Sequence, residues 1–436
     1  MDMREVVVIG AGISGLSTAY RLKKEGVDVV VYEKDDRIGG TIHTVKEKGY
    51  LFEVGAQTIL ADQEVIDFLK EAGIEPVEAS PSSKYRYIYK KGRLIPLPMS
   101  PVEFLKTPLL SLKTKLKVLT EIFKRGVDED ISIADFVREH FGEEFLNYVV
   151  APFISGVYAG DPEKLSLKHA TPKLYEAQKK YGSLIKAFIK EKTAGPKGKL
   201  ISFGEGLGEL INALAQKLEV HTENVVLRMR KFEDFFRLDV RGKKVETKSV
   251  VVASPAYTSS YLLKEVSFSA SEEFDKIDYP PVVVVNVGVE GKFPKVRLLS
   301  SESGKKRILG AMFMSKLFPG RAPQGKELLT VFLGGATDRE VIELSEEEIE
   351  NIVERELKEI LQIDCIDFMH VQKWKRAIPQ YTLGYDRFLN LAQEMEKDYP
   401  GLFLTGNWLY GVSTADCIRA SKKVAQKVLS FLRPQA

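Results

Sequence analysis

Residues 6–9 read Val-Val-Val-Ile, an unbroken β-branched run that suits a strand buried on both faces of a parallel sheet. The run passes directly into Gly10-Ala11-Gly12-Ile13-Ser14-Gly15. Leu16, Ala19, Tyr20, Leu22 and Lys23 then recur at helical spacing until Gly26 offers a C-cap. A second apolar run over 27–32 ends on Glu33, so the order is strand, glycine turn, helix, strand, acid. Gly10 permits the tight turn, Gly12 lets a pyrophosphate approach backbone N–H groups at the positive end of a helix dipole, and Gly15 lets helix and strand pack closely. Glu33 lies near the interval of about 20 residues at which a carboxylate accepts hydrogen bonds from ribose hydroxyls. A lone glycine turn matches this pattern by chance. With strand, helix and terminal acid in order, it predicts a dinucleotide site on a Rossmann-like unit.

Residues 34–45, KDDRIGGTIHTV, bear on the choice between NAD and FAD. They set Arg37, Gly39 and Gly40 just beyond the second strand. This resembles flavoproteins of the amine-oxidase and glutathione-reductase type, in which a second glycine pair continues along the diphosphate. In GYLFEVGAQTI (49–59), Glu53, Gly55 and Ala56 look like the segment that passes near the flavin ring of such proteins. The resemblance is to FAD.

The chain has 436 residues, 44% hydrophobic and 29% charged, which is enough for two or three domains. Its 64 basic and 61 acidic residues leave a net charge of +3, without the global field that draws a protein onto nucleic acid. Cys365 and Cys417 supply neither a disulfide framework nor a CxxC pair, which fits a reducing, cytoplasmic compartment. The histidines (His43, His140, His169, His221 and His370) are scattered without metal-ligand spacing, so no metal site is expected. The chain reaches its first strand with no signal-peptide core, and no apolar run approaches the roughly 20 residues of a spanning helix.

KYRYIYKKGRLIPLP (84–98) alternates aromatic and basic residues across a predicted hairpin turning at Lys91-Gly92. Tyr85, Tyr87 and Tyr89 share one predicted face, with Arg86 and Ile88 on the other. By pattern alone, Arg86 is either an edge-strand cation facing water or a binding residue. From 96 to about 199 the texture predicts helices separated by Pro and Gly. Leu112, Leu116, Leu119 and Ile122/Phe123 fall on one helical stripe among Lys113, Lys115, Lys117, Lys124 and Arg125. Such a helix either packs on its own domain or lies on anionic lipid. After a GPKGK linker (195–199) come a glycine-rich turn into a helix, strands at 224–229 and 235–241, and a buried run over 249–255 that returns to the first sheet. Strands at 282–290 and 328–335 and an acid-started helix over 345–363 precede Trp374 and RAIPQYTLG (376–384).

Several segments together are similar to the protoporphyrinogen oxidase family of FAD enzymes. APFISGVYAGDPEKLSL (151–167) resembles that family's PF-SGVYAGDP-LS signature, and FGEGLGELINAL (203–214) its glycine-rich approach to the second FAD block. Ile378-Pro379-Gln380-Tyr381-Thr382-Leu383-Gly384 is similar to a hallmark near its C-terminal third, and GLFLTGNWLYGVSTADCIRASKKVA (401–425) to its closing segment. These matches run in order along nearly the whole chain. Read from its residues, the last block agrees: a strand over 402–405, a turn at Gly406-Asn407, and a glycine-to-helix transition over 411–415 whose N–H groups suit a flavin's pyrimidine edge.

The resemblance implies an α/β and α+β chain of three parts. A discontinuous Rossmann-like FAD/NAD(P)-binding domain comprises 1–65, 196–262 and 390–436; a mixed or antiparallel-sheet substrate-binding domain comprises 66–93 and 263–389; a helical domain spans 94–195. It implies that 376–384 walls the flavin, that Arg86 pairs with a substrate propionate, and that FAD is held without a covalent bond, leaving Cys417 a packed small residue. It carries cofactor contacts to Gly10, Gly12, Ile13, Ser14, Gly15, Glu33, Lys34, Arg37, Gly39, Gly40, Gly55, Ala56, Gln57, Thr58, Val225, Ser254, Gly406, Asn407, Gly411, Val412, Ser413 and Thr414. Plant members have Asn where this chain has Gln57, so Gln57 is read as a flavin neighbour without catalytic duty, and no side chain is assigned as catalytic. The implied activity is oxidation of protoporphyrinogen IX to protoporphyrin IX in three two-electron steps. The implied acceptor is dioxygen, giving hydrogen peroxide, or another oxidant; hand-off to ferrochelatase and membrane contact through 96–125 are the implied partnerships. Coproporphyrinogen III oxidation, an amine oxidase or carotenoid desaturase, and a FAD-bearing assembly factor without turnover stay open.

Overall fold

The β-branched opening becomes the strand Arg4–Ile9, with Val6, Val7 and Val8 fully buried. It pairs in parallel with Val29–Tyr32 on one side and with Lys243–Val252 on the other. This computed structural model describes residues 3–191, 198–291, 298–300, 306–363 and 365–434. Most of the linker expected over 195–199 lies outside them. The same sheet takes Glu219–His221 at one edge and Leu402–Leu404 beside the C-terminal half of Lys243–Val252, both parallel. An antiparallel meander of Val226–Lys231 and Phe236–Val240 completes it. The first sheet thus draws strands from three separated stretches of chain, and the run over 249–255 does return to it. The helices Ile13–Lys24 and Thr414–Leu432 pack against each other on one face, among Leu16, Leu22, Ile418 and Val424.

A second sheet runs in the order Ile366–Trp374, Val282–Glu290, Lys326–Gly334, Ile308–Phe313, Leu298–Ser300, Tyr87–Lys90, Arg93–Pro96. Its pairs are antiparallel except Leu298–Ser300 with Tyr87–Lys90. Period-two alternation gives it two faces. Val283, Val285, Val287, Val331 and Leu333 pack on one side with Ile349, Val353 and Leu357 of the capped helix Glu346–Leu361. The hairpin turns at Lys91 and Gly92, both at positive φ, as a two-residue hairpin loop requires. The strand starts only at Tyr87, so Tyr85 stands exposed instead of joining Tyr87 and Tyr89.

Helices occupy much of 101–191. The stripe expected on Leu112–Thr120 is real, but it faces outward: Leu112 is 73% exposed and the following Phe123 84%. From 143 to 158 the chain is helical throughout, with a π turn over Leu146–Val150 before Ala151–Tyr158. Pro152 has no N–H to donate and its ring crowds the carbonyl four residues back, and the widened turn accommodates both effects.

The strand Tyr50–Glu53 ties the second sheet to the turn at Leu207. The Glu53 carboxylate is fully buried and accepts from the Leu207 N–H and the Thr44 hydroxyl, both at 2.7 Å. Arg321, 1% exposed, places Nη1 3.7 Å from it and donates through Nη2 to Ser202 Oγ and the Phe203 carbonyl. Burial pushes the Glu53 carboxyl above its usual range, against the pull of those donors and of Arg321. From the second sheet, the Asn286 amide donates to the Glu53 carbonyl at 3.0 Å, and the Trp374 indole to the Val54 carbonyl at 2.6 Å. Removing one partner of a buried charge pair leaves the other uncompensated. Arg321→Ala is therefore expected to lower unfolding free energy by about 3–5 kcal/mol, read from urea denaturation.

Candidate active site

Sequence-distant glycines converge at the C-terminal end of the first sheet. Gly39 donates its N–H to the Ala11 carbonyl at 2.8 Å, and Gly12 and Gly39 form a parallel bridge. A methyl group on Gly15 would lie 2.0 Å from the Gly10 carbonyl oxygen, so helix and turn pack too closely for any side chain. Over Gly12 there is nothing within 4 Å, which leaves that backbone open to a ligand. The buried Glu33 carboxylate accepts from the Ala11 N–H at 2.7 Å and the Asp35 N–H at 3.1 Å, pinning the glycine turn to the second strand. Asn224 donates its N–H to the Glu33 carbonyl, which brings Val225 to the same corner.

Arg37 reaches back through Nη2 to the Gly40 carbonyl at 2.9 Å, while its Nη1 is buried with no hydrogen-bond partner among the described residues. An orphaned guanidinium nitrogen beside an open glycine backbone and a helix N-terminus suits a diphosphate. Lys34 instead pairs with Asp35 at 2.8 Å. The Cys417 thiol lies against Ser14, which brings the start of Thr414–Leu432 beside that of Ile13–Lys24; burial pushes this thiol up to about 11. It is packed, at 4% exposure.

Residues 55–58 follow directly from the Glu53 junction. The Gln57 amide donates to the Glu53 and Gly55 carbonyls at 3.1 and 3.0 Å, so its NH2 must face them and its Oε1 is buried without a partner among the described residues. The loop 406–413 is held from beneath. The Tyr381 hydroxyl donates to the Asn407 carbonyl at 2.6 Å and accepts from the Gly411 N–H at 2.9 Å; the Tyr385 hydroxyl donates to the Trp408 carbonyl at 2.9 Å. The Trp408 indole in turn donates to the Ser254 carbonyl at 3.1 Å. Sequence reasoning missed these anchors. Two tyrosines four residues apart, followed by a Gly-Asn turn, are their only trace. One expectation changes: the Gly411 N–H is taken by Tyr381 and the Ser413 N–H faces Asp416, leaving those of Val412 and Thr414 to meet a ligand.

The segment 376–384 ties two distant parts of the chain together. The Gln380 amide donates to the Tyr158 carbonyl at 2.9 Å, Ser166 donates its N–H to the Tyr381 carbonyl, and Thr382 bridges Leu165. It joins the end of the helix Ala151–Tyr158 to the 406–413 loop. That helix packs on Ile308–Phe313 yet leaves Phe153 and Val157 39% and 42% exposed, one turn apart, with open space over Gly156. The Arg86 guanidinium lies 6.0 Å from the Phe153 ring centre. It is half-buried, has no ion pair among the described residues, and burial lowers its pKa with no carboxylate to oppose that.

A sequence profile described as flavin containing amine oxidoreductase matches residues 13–429. The chain is 31% identical to the chloroplastic protoporphyrinogen oxidase of Oryza sativa subsp. japonica, over 99% of this chain and 89% of that one. It is 28% identical to the coproporphyrinogen III oxidase of Bacillus subtilis (strain 168), over 98% of each. Its fold matches a provisionally named protoporphyrinogen oxidase from Exiguobacterium sp. 255-15 with a TM-score of 0.86 at 22% identity, over 98% of this chain and 99% of that one. The cofactor is FAD, and the open glycine backbone and orphaned Arg37 nitrogen fit it. Arg37→Ala is expected to raise the FAD dissociation constant about 10- to 100-fold, the range for a hydrogen bond to a charged group. Tyr381→Phe is expected to raise it up to about tenfold. Equilibrium dialysis of released FAD reads both.

Proposed function

We propose, from the premise that the chain belongs to the flavin containing amine oxidoreductase family, that it oxidises protoporphyrinogen IX to protoporphyrin IX. The observation that carries this is Arg86: a half-buried cation with no anionic partner among the described residues, at the end of the apolar helix face formed by Phe153 and Val157. A porphyrinogen is an apolar macrocycle with carboxylate arms. Phe153, Val157 and the open space over Gly156 receive the ring and exclude water from it, while Arg86 fixes one propionate through paired charge-assisted hydrogen bonds. Bound FAD supplies a two-electron acceptor, used three times for the six hydrogens that separate porphyrinogen from porphyrin. Such chemistry depends on positioning in a dry slot more than on a strong base. Dioxygen, yielding hydrogen peroxide, is the proposed final acceptor.

The tetracarboxylate coproporphyrinogen III is the second reading, favoured by the similarity to the Bacillus relative. Anaerobic mixing of the FAD-loaded protein with each porphyrinogen, following loss of oxidised-flavin absorbance, separates them. Rapid bleaching by the dicarboxylate is the expected result; bleaching by the tetracarboxylate alone moves the enzyme to the coproporphyrin reaction. No bleaching by either overturns porphyrinogen oxidation and leaves a flavin-bearing assembly factor. Arg86→Ala is expected to raise the half-saturating porphyrinogen concentration about 10- to 100-fold with FAD still bound.

The proposal extends to where the product goes. No described helix is long and apolar enough to cross a membrane. The exposed Leu112, Leu116, Leu119 and Phe123 nonetheless project among lysines, and an amphipathic surface of this kind lies on anionic lipid. Product would then leave along the membrane toward a ferrochelatase, from the cytoplasmic face. Flotation with anionic vesicles at low salt is expected for the native chain and lost in Leu112→Ser/Leu116→Ser.

A further inference from the structure

The face of the second sheet opposite the helix Glu346–Leu361 has one row whose side chains are not all committed. In antiparallel pairs, directly opposed residues project to the same side. Val284 opposes Gln372 in one neighbouring strand and Phe332 in the other, and Phe332 opposes Gly310 beyond. Four strands wide, this row spans about 14 Å at the usual strand spacing. The row on one side contains Trp374, tied to the Val54 carbonyl. The row on the other contains Thr330, whose hydroxyl donates to the Asn286 amide oxygen, and Asn286, whose amide nitrogen donates to the Glu53 carbonyl. Ala159, at the end of the Phe153-bearing helix, packs with Val282, Val284, Phe332 and Trp374. The row therefore lies between that helix and the residues leading to Gln57.

Gln372 is the polar member of the row and is half-buried. Its amide nitrogen donates to the Lys373 carbonyl at 3.1 Å. A carbonyl cannot donate, so the NH2 must face it, and the amide oxygen is left as an acceptor with no donor among the described residues. Beside it Phe332 is half-buried and apolar, and Val284 is buried beneath Ala159.

We propose that Gln372 is a specificity residue whose amide oxygen accepts a pyrrole N–H of the porphyrinogen. This rests on the porphyrinogen reading above. A porphyrinogen carries four pyrrole N–H donors and the oxidised porphyrin two, so an acceptor here favours substrate over product. An amine or carotenoid substrate would not present such an array.

The test compares Gln372→Leu, which removes the acceptor, with Gln372→Glu, which keeps it and removes the donor to Lys373. Each FAD-loaded variant is mixed anaerobically with the porphyrinogen that bleaches the native protein. The half-saturating concentration in Gln372→Leu is expected to rise about tenfold, with the limiting bleaching rate and FAD content unchanged. Gln372→Glu is expected to stay near native. Porphyrin binding, followed by fluorescence quenching, is expected to weaken less than porphyrinogen binding in Gln372→Leu. An unchanged half-saturation in Gln372→Leu, or equal losses in both variants, overturns the role of the amide oxygen and leaves the porphyrinogen reading intact. Failure of native protein to bleach with any porphyrinogen overturns both.

Discussion

The backbone of residues 53 and 54 is where the second sheet is fastened to the second glycine-rich turn. Its carbonyls are buried and must be satisfied, and their donors come from Asn286 and Trp374 of the second sheet. The Glu53 side chain turns the other way, onto the Leu207 N–H at the second glycine-rich turn. The chain that leaves this junction reaches Gln57, whose amide donates back to the Glu53 and Gly55 carbonyls, so residues 55–58 and the second sheet keep a fixed relation. Hydrogen bonds supply that relation where apolar packing alone would permit sliding.

The same economy recurs at the other end of the chain. Tyr381 and Tyr385 bury their rings against each other, 4.4 Å apart, and spend their hydroxyls on the backbone of the 407–411 loop. Gln380, just before them, holds the carbonyl that ends the Phe153-bearing helix. One short extended segment therefore touches the Phe153-bearing helix and the 406–413 loop at once. A Pro- and Gly-containing strip is suited to this because its backbone groups stay free to bond outward, sideways from any sheet.

How much of this was legible beforehand follows from the range of each interaction. The glycine turn and the hairpin turn at Lys91-Gly92 are local, and the structure forms them as the residues suggest, while the carboxylate expected at position 33 to meet a ribose accepts from the Ala11 and Asp35 N–H groups. The Arg86 strand was read with the right alternation from Tyr87 onward but carried two residues too far, because nothing in KYRY marks where pairing stops. The leucine stripe of 112–123 shows the limit of periodicity: spacing says that one face is apolar and cannot say whether it looks inward. Tyr381 with Asn407 and Gln372 with Val284 were invisible for another reason. These contacts join residues far apart in the chain through sheet register and loop closure, which no single segment encodes.

The π turn at Leu146–Val150 gives the helix that follows it a rotational setting. Such a turn is one residue more than a regular helix needs, and each residue of helix corresponds to about 100° of rotation. Phe153 and Val157 come after it, so the extra residue decides which way they look. A lineage that dropped a single residue here would keep its helix, its length to within a fraction of a turn and most of its core, yet swing the Phe153 ring away from Arg86. The side chains a helix presents to its surroundings can thus be revised by counting residues, with no change to any of those side chains.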